Sequence, residues 1–467
     1  MSNQYQEISG PVLFPENMIK INGQCDCFGY PAELADPVPC LTERQLAYIK
    51  NDYKHPSDIV NNLSIWRNLY RTSDFEVNHR VSDFGLPFLK QPVQLDSVMP
   101  ENYTPASYDI QHKMLSAWLH ITDRCNLRCS YCYLPHQPAD MSEQTGLAAV
   151  NAAFRSALIN DYQHVVLKYA GGEPLLRFSL IKKLHGYAQT LADQHGLFLT
   201  GVILSNGTLL TPEIIKTIQT AGLRLMISLD GLEESHNRQR SYSDGSGSAA
   251  DVIRSVEQCL TLGLIPDISV IVSGSNVEGL PELICWILEH GLPFSLNLYR
   301  ENNRSAFHAD LKLEEHQIIN GILAAYKVIE NNLPRSSLLL SLADRANLAI
   351  PHLHTCSVGQ GYLVFDPRGR VAKCQMQIDK PVTTCKASDP LAAIRGDKAG
   401  IQNLSVEEKQ ECGCCEWKYW CAGGCPLVTY RTRGRYDVKS PNCSIYKAIY
   451  PEVVRLEVMR LLRYADR

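Results

Sequence analysis

The chain has 467 residues, a length that predicts two or three domains, and its 45% hydrophobic and 20% charged residues are typical of a globular protein. The formal net charge of −4 argues against a general binder of nucleic acid or of an anionic membrane surface. The first residues, MSNQYQEISG, lack the basic and apolar regions of a signal peptide, and no apolar run approaches the roughly 18 residues of a membrane helix. We therefore expect a cytoplasmic protein that binds neither nucleic acid nor membrane.

Residues 1–85 differ in pattern from the rest of the chain. An extended segment, PVLFPENMIKI, precedes two stretches with helical spacing, LTERQLAYIKN and SDIVNNLSIWRNLY. This order fits a small α+β domain of winged-helix type, and it fits equally a helical decoration of the domain that follows. Residues 86–113 contain four prolines and are predicted to be a linker.

Residues 114–345 alternate between apolar, strand-like runs and helical stretches. The strand-like runs are SAWLHI, VVLKYA, LTGVILS, LRLMISL, DISVIV and FSLNLY. Repeated βα units predict an α/β fold with a parallel sheet, open or closed into a barrel. Polar signatures follow the first four runs (DRC, GGEP, SNGT and SLDG), and ligands of such folds bind at the carboxyl ends of the strands.

Residues 346–467 lose this alternation and are rich in glycine, proline and cysteine until a closing helix predicted at 451–464. Such a composition is typical of a domain with a small apolar core that is held together by metal. The whole chain has 17 cysteines. Because a cytosolic chain keeps its thiols reduced, dense and closely spaced cysteine favours metal sites over disulfides.

The sequence CNLRCSYC places Cys125, Cys129 and Cys132 directly after the first predicted strand. Structural zinc normally has four protein ligands, so one interpretation is an incomplete zinc knuckle. The other is a 4Fe-4S cluster in which three cysteines bind three irons and an external chelator binds the fourth.

This spacing, followed by GGEP, resembles the radical S-adenosylmethionine (SAM) superfamily. The resemblance implies a partial (β/α)6 barrel and a 4Fe-4S cluster whose open iron is bound by the methionine part of SAM. It implies SAM contacts by Tyr131, Gly171, Gly172, Glu173, Pro174, Ser205, Asn206, Ser228, Asp230, Arg240 and Leu298. Of these, Tyr131 would lie near the adenine, the GGEP turn would bind the amino group, and Arg240 would bind the methionine carboxylate. Leu298 would lie beside the adenosine.

Seven cysteines and one glycine in the last third of the chain are spaced as C-x12-G-x4-C, then C-x2-C-x5-C-x3-C-x17-C. This pattern resembles the SPASM domain, an iron–sulfur extension of peptide-modifying radical SAM enzymes, and it implies two auxiliary 4Fe-4S clusters. Carried over from that family, the second auxiliary cluster has the ligands Cys412, Cys415, Cys421 and Cys443. The first has only Cys356, Cys374 and Cys425.

The fourth ligand of the first auxiliary cluster is left open by the sequence. The preceding stretch, AIPHLHT, contains no cysteine, so His352 or His354 could bind the iron, or the iron could be open to substrate. Cys414 lies between ligands and is predicted to be a bystander. Cys25, Cys27, Cys40, Cys259, Cys285 and Cys385 have no pairing pattern; those at 259 and 285 are expected to be buried thiols in helices, and a metal site at the CDC of residues 25–27 is a minor alternative.

The C-terminal motifs look most like those of maturases of ribosomally made peptides, particularly of precursors with nitrogen-fixation-type leaders. That group includes spliceases that excise a tyramine unit and enzymes that form thioether or carbon–carbon crosslinks. The resemblance implies a precursor peptide with a leader, bound by residues 1–85 or by a separate leader-binding protein, and an external electron donor of flavodoxin or ferredoxin type.

Two alternatives stay open. Sulfatase-type formylglycine-generating maturases are related enzymes, but they have an aspartate after the second SPASM cysteine, where this chain has Gln375. A non-catalytic iron–sulfur electron carrier would not need the SAM motifs.

Overall fold

The computed structural model describes residues 114–344, 346–349 and 351–464. The predicted N-terminal domain (1–85) and linker (86–113) lie outside the described residues, as do Cys25, Cys27 and Cys40.

The described part of the chain is built on one nine-stranded sheet with the order β6-β5-β4-β3-β2-β1-β7-β8-β9. The first seven strands run parallel, and β8 and β9 are antiparallel additions at one edge. The strands are β1 Met114–Thr122, β2 His164–Gly171, β3 Phe198–Ser205, β4 Arg224–Ser228, β5 Asp267–Val272, β6 Phe294–Leu298, β7 Tyr362–Phe365, β8 Arg370–Ala372 and β9 Thr383–Thr384.

Helices follow or join these strands and cover the sheet. They are α1 Glu143–Ile159, α2 Phe178–His195, α3 Pro212–Thr220, α4 Glu233–Asn237, α5 Ala249–Thr261, α6 Leu280–Glu289, α7 Glu315–Asn331, α8 Pro390–Gly396, α9 Lys418–Cys421, α10 Pro426–Arg433 and α11 Cys443–Arg463. The predicted α/β fold of six successive βα units is therefore confirmed. None of the helices in the described ranges is both long and apolar enough to span a membrane.

The central strands are buried on both faces, as the uninterrupted apolar runs predicted. In β1, seven of nine residues are buried, and β2 has five buried residues of eight. Local signals start the helices that cover them: the Ser142 side chain accepts a hydrogen bond from the Thr145 amide at the start of α1, and Thr211 does the same for Ile214 before Pro212. Burying such strands on both faces is the usual condition for a parallel sheet.

The C-terminal cysteine-rich region continues the sheet of the βα units. Strand β7 pairs in parallel with β1, from Ser116 opposite Tyr362 to Leu119 opposite Phe365. The sequence placed a domain boundary at 345/346, but β1 is hydrogen-bonded to β2 on one side and to β7 on the other. The two regions therefore share a continuous backbone ladder.

The closing helix is longer than predicted. We expected residues 451–464, but α11 begins at Cys443 and contains Pro451 in its interior. A proline there removes one backbone hydrogen bond and opposes the helix locally. Apolar packing outweighs this cost, since Ile445, Ile449 and Val453 are all buried in the main core.

The loops that follow β1 and β2 are locked together through backbone contacts. Gly172 donates its N–H to the Thr122 carbonyl at 2.7 Å, and Glu173 donates to the Arg124 carbonyl at 2.8 Å. A Cβ atom at Gly172 would lie 2.2 Å from the Arg124 oxygen, and one at Gly171 would lie 2.4 Å from the Thr122 oxygen. Only glycine allows the two loops to approach so closely, which explains both glycines of the GGEP motif.

Replacing Gly172→Ala should therefore destabilise the chain by about 1–3 kcal/mol, because the new methyl group would force the two loops apart. The measurement is the free energy of unfolding or the shift in Tm. Gly186→Ala is the matched control: it lies inside α2, and nothing lies within 4 Å of its built Cβ. That control should be neutral or stabilising by roughly 0.5–1 kcal/mol, and equal stabilities of the two variants would contradict the packing argument.

Candidate active site and cysteine clusters

Cys125, Cys129 and Cys132 lie on the loop that follows β1, at the carboxyl edge of the parallel sheet. The loop is held from the opposite side by the segment after β4. The Arg128 amide donates to the Ser241 carbonyl at 2.8 Å, and the Ser130 amide donates to the Gln239 carbonyl at 3.0 Å. The three thiols are therefore presented by a loop whose backbone is fixed at both ends.

Burial keeps the thiols of this loop neutral unless a metal centre binds them. Burial raises the pKa of Cys129 to about 12 and that of Cys125 to about 11, with the nearby Arg240 opposing both shifts. A thiol binds metal as the thiolate, and the charge of the metal offsets the desolvation that otherwise disfavours this form. The donor set thus fits an iron–sulfur group.

A single ion is not what this geometry suggests. Among the residues that the structure describes, no three His, Cys, Asp or Glu side chains converge as the ligands of one metal ion do. The thiolates of a cluster bind different irons and need no common centre. Two buried polar atoms beside the loop, Ser130 Oγ and Gln239 Nε2, also lack a hydrogen-bond partner within the described part of the chain and are available to a ligand.

Glu173 of the GGEP turn is fully buried and is turned toward the protein. Its carboxylate accepts hydrogen bonds from the amides of Leu175 (3.0 Å) and Asn206 (2.7 Å) and from Ser205 Oγ (2.8 Å). Burial raises its pKa to about 7, and the two amides oppose that shift. The side chain therefore joins the carboxyl ends of β2 and β3. A ligand amino group, which needs acceptors, would meet the carbonyl groups of this turn.

Asn206, which is hydrogen-bonded to Glu173, also contacts the cysteine loop. Its Nδ2 donates to Asn126 Oδ1 at 2.9 Å and lies 3.9 Å from Cys125 Sγ. Pro174 follows Glu173 and begins a short 3-10 helix. The predicted GGEP and SNGT residues are thus brought together around the first cysteine.

Tyr131, Asp230 and Arg240 form a second buried group at this edge. Asp230 accepts from the Tyr131 hydroxyl at 2.5 Å and from Arg240 Nε at 2.6 Å, and it is fully buried. The Arg240 guanidinium lies over the Tyr131 ring, 5.2 Å from its centroid, and its Nη1 lies 3.8 Å from Cys129 Sγ. The sequence predicted these three as separate SAM contacts, and the structure shows that they are one network facing the thiols.

His236 and Ser248 hold this network in place and were missed by the sequence analysis. The Asp230 amide donates to His236 Nδ1 (3.2 Å), His236 Nε2 lies 3.1 Å from Ser248 Oγ, and Ser248 Oγ donates to the Arg240 carbonyl (2.8 Å). Burial lowers the pKa of His236 to about 4, so the ring is neutral and donates from Nε2. The only sequence signal was a histidine near the start of HNRQR.

Ser228 and Leu298 end strands β4 and β6 at the same edge of the sheet. Ser228 is partly exposed and lies opposite Ser269, whereas Leu298 is buried and lies opposite Val272. Their predicted roles as SAM contacts stay predictions.

The four cysteines assigned to the second auxiliary cluster line one cavity. The cavity has a volume of about 80 Å³, and Trp417, Tyr446 and Tyr450 form its apolar walls. Tyr450 donates its hydroxyl to Cys421 Sγ at 3.4 Å. The cysteines on this cavity are Cys412, Cys415, Cys421 and Cys443. Four thiols on one enclosed space are a donor set that fits a cluster with four protein ligands.

The three cysteines assigned to the first auxiliary cluster share a separate apolar cluster. Cys356, Cys374 and Cys425 pack there with residues such as Tyr362 and Leu427. His352 is buried, and its backbone amide donates to the Tyr419 carbonyl at 2.7 Å. His352 and His354 stay the candidates for a fourth ligand, together with an iron open to substrate.

Thiols of the first and of an auxiliary cysteine set both act electrostatically on Tyr133. Burial raises the pKa of its phenol well above the ordinary value, and the charges of Cys132 and Cys374 raise it further. One aromatic side chain therefore lies near both a thiol of the β1 loop and a thiol of the C-terminal region.

The remaining described cysteines have no such arrangement. Cys259 and Cys285 are buried in α5 and α6, as expected, and Cys414 is exposed. Cys385 is buried against Gly369, where a Cβ atom would lie 2.8 Å from its sulfur. Gly369 has φ of +76°, so glycine is required there by its backbone conformation as well as by space.

A three-cysteine loop after the first strand of a parallel βα sheet, with a buried polar network around it, is a donor set that fits a cluster with three protein ligands. Residues 119–287 match the family described as the radical SAM superfamily. This part of the chain has the radical SAM fold, which implies a 4Fe-4S cluster and SAM.

Comparison with known proteins extends the likeness beyond the family match. GTP 3',8-cyclase of Helicobacter pylori is 28% identical over 243 residues, which are 50% of this chain and 71% of that protein. The solved structure of anSMEcpe with bound AdoMet and Cp18Cys peptide has a TM-score of 0.59 at 18% identity and covers 74% of this chain and 99% of that one. Streptococcus suis SuiB bound to S-adenosylmethionine has a TM-score of 0.50 at 15% identity, covering 70% and 76%. At these identities the two structures show a shared fold.

Arg240→Lys should weaken SAM binding about tenfold, because the loss of a charge-assisted hydrogen bond costs about 1.5–3 kcal/mol. Lysine keeps a positive charge beside Asp230, whereas alanine would leave that buried carboxylate unpaired at a cost of about 3–5 kcal/mol. The measurement is a SAM titration of the anaerobically reconstituted protein. Arg238→Lys, an exposed arginine of the same turn, is the control. Equal affinities of the two variants would show that Arg240 makes no contact with SAM.

Proposed function

We propose that this chain is a radical SAM enzyme that modifies a ribosomally synthesised precursor peptide. The modification is a backbone splicing with excision of a tyramine unit, a thioether or a carbon–carbon crosslink. When bound, the 4Fe-4S cluster and SAM supply one electron and a sulfonium whose cleavage yields methionine and a 5′-deoxyadenosyl radical that takes a hydrogen atom from the peptide.

The observation that carries the proposal is the placement of the seven C-terminal cysteines. They form two sets, one on a single cavity and the other in a separate apolar cluster, in a region whose β7 is paired with β1. Both sets are therefore held by the same sheet that presents the first cysteine loop. This is the arrangement expected of two auxiliary clusters that serve one active site.

The peptide as substrate class is supported by fold similarity. The anSMEcpe structure, which contains a bound peptide, matches this chain along 99% of its own length. The structural match therefore includes most of that protein, whereas the family model covers only residues 119–287 of this chain. A fold shared over this extent supports a peptide-sized substrate here.

The residues around the first loop would bind and orient SAM. Asp230 holds Arg240 Nε and Nη1 is directed toward the thiols, so the edge of the guanidinium that carries Nη1 and Nη2 would meet a carboxylate bound beside the cluster. Tyr131 is fixed by Asp230 and also by Asn302, which donates to its carbonyl at 3.0 Å. Hydrogen-atom abstraction needs no general base, so the absence of a catalytic dyad from the sequence motifs agrees with the proposal.

The formylglycine-generating alternative is disfavoured by Gln375. This residue occupies the position where that family has its aspartate, and its amide oxygen accepts a hydrogen bond from the Tyr362 hydroxyl at 3.0 Å. An amide in this place cannot serve as a base. The electron-carrier alternative leaves the Tyr131–Asp230–Arg240 network without a purpose.

Anaerobically reconstituted protein should hold about twelve irons per chain if each cysteine set binds a four-iron cluster. Replacing Cys125, Cys129 and Cys132 with alanine should remove about four irons and abolish formation of 5′-deoxyadenosine from SAM and reductant. Replacing the cavity cysteines Cys412, Cys415, Cys421 and Cys443 should also remove about four irons but spare SAM cleavage.

Cys414→Ala is the control for this series, since its side chain is exposed, and its iron content should match that of the unmodified chain. An iron content unaffected by the first triple replacement would refute the assignment of the SAM-binding site. A content of only about four irons in the unmodified chain would refute both auxiliary clusters.

We further propose that residues 1–85 bind the leader of the precursor, because the motifs for the radical chemistry all lie C-terminal of them. Binding the leader would raise the local concentration of the core peptide, to about millimolar for a short flexible link. Deleting residues 1–85 should spare SAM cleavage but suppress modification of a precursor peptide encoded beside this chain's gene. Full-rate modification by the truncated enzyme would assign the leader to another surface or to a separate binding protein.

A further inference from the structure

Lys409 is a buried lysine that the sequence motifs do not include. It is only 3% exposed and follows the short helical turn at Val406–Glu408. In the sequence SVEEKQEC it belongs to a charged run, which normally indicates a solvated surface. A buried ammonium is costly unless anions surround it, so its surroundings decide its role.

The ammonium of Lys409 lies at the junction between the two C-terminal cysteine sets. Its Nζ donates to the Ala422 carbonyl at 2.8 Å. Ala422 directly follows Cys421 of the second set, and the segment Ala422–Gly424 leads directly to Cys425 of the first.

The neighbouring residues leave space for the Lys409 side chain and hold the surrounding backbone by hydrogen bonds. Gly423 has φ of +78°, and a Cβ atom there would lie 2.5 Å from Lys409 Cδ, so glycine makes the space. Thr355, which precedes Cys356, places its Oγ1 2.8 Å from the carbonyl oxygens of both Ala422 and Gly424. The Cys412 amide donates to the Lys409 carbonyl at 3.2 Å.

The charges that act most strongly on Lys409 come from thiols of both sets. Burial lowers its pKa, and the thiols of Cys412, Cys421, Cys356 and Cys425 oppose that shift. Two of these cysteines belong to each proposed auxiliary cluster. Iron-bound thiolates would supply the negative charge that a buried ammonium requires.

We propose that Lys409 is a fixed cation shared by the two auxiliary clusters and that it raises the reduction potentials of both. The inference rests on the proposed function, in which hydrogen abstraction leaves a carbon radical on the peptide. Product formation transfers one electron from that carbon to an oxidised auxiliary cluster, while the thiol or carbon that bonds to it releases its proton to solvent. The cluster becomes more negative by one charge, and Lys409 keeps its own proton on Nζ. A positive charge beside the cluster favours the reduced form, because net charge and hydrogen bonding set cluster potentials.

The test is an EPR-monitored redox titration of the reconstituted full chain carrying Lys409→Met, Lys409→Gln or Lys409→Arg. The Met and Gln variants should have more negative midpoint potentials at both auxiliary clusters, and the Arg variant should stay near the unmodified protein. The SAM-binding cluster should be unaffected in all three. Lys398→Met, an exposed lysine of the same region, is the control for an equal change in net charge.

The Gln variant separates charge from structure, because it keeps a donor for the Ala422 carbonyl, and it serves in place of Met if that variant fails to assemble. Potentials restored by Gln would overturn the inference and leave Lys409 a purely structural role. If the Lys409 variants hold about twelve irons and the midpoint potentials of their auxiliary clusters are unchanged, the inference is overturned but the proposed function is not. About four irons in the unmodified chain would overturn the proposed function and the inference together.

Discussion

The pairing of β1 on both sides is the constraint from which the positions of the cysteines follow. Strand β1 carries the first cysteine loop at its carboxyl end, β2 carries the turn that locks that loop, and β7 begins the C-terminal region. Parallel strands end at a common edge, so the loop and the C-terminal region are placed by one backbone ladder. This accounts for the approach of Cys132 and Cys374 to the same tyrosine, Tyr133, although the two cysteines are far apart in sequence.

Two buried cations near the cysteines are neutralised in different ways. Arg240 has a dedicated carboxylate, Asp230, which is in turn fixed by the Tyr131 hydroxyl and the Ile271 amide. Within the part of the chain that the structure describes, Lys409 is surrounded by the Ala422 carbonyl and the thiols of two cysteine sets, and no carboxylate pairs with it. An arginine with its own counter-ion keeps its charge whether or not a cofactor is bound, and so it is suited to recognising a ligand. A lysine without one depends for its charge on the metal-bound thiolates, and its field acts on them in return.

The sequence predicted the parts of the fold that depend on local pattern. The six apolar runs became β1 to β6 because a strand covered on both faces needs an uninterrupted apolar sequence. It did not predict the pairing of β7 with β1, because YLVF carries no information about its partner strand. The start of the closing helix was also missed, since Pro451 is a stop signal in isolation and only packing against the core extends α11 back to Cys443.

In the candidate site, too, the features restricted by local pattern were predicted, and those that depend on tertiary packing were not. The spacing that carries the family resemblance singled out the cysteines, whose ligand roles stay predictions, and the glycines of GGEP, which the close backbone approach requires. The inward orientation of Glu173 and the neutral His236 depend on burial, which one sequence does not reveal. Lys409 is the clearest case: in sequence it resembles its solvated neighbours, and only Gly423 and the Ala422 carbonyl show that it points inward.

Under the proposed function, the choice of substrate would depend on regions outside the radical SAM match at residues 119–287. A relative named GTP 3',8-cyclase and a structure recorded with a bound peptide are both similar to this chain, and the first of these aligns with only half of it. The βα units and the first cysteine loop can therefore support unrelated substrates, which agrees with a radical chemistry that acts through SAM. Two other parts of the chain would then select the substrate. They are the C-terminal region, with its two cysteine sets, and residues 1–85. Because β7 fixes the C-terminal region against β1, a substrate bound there would be held at a set distance from the cleaved SAM, and the bond attacked would follow from that distance.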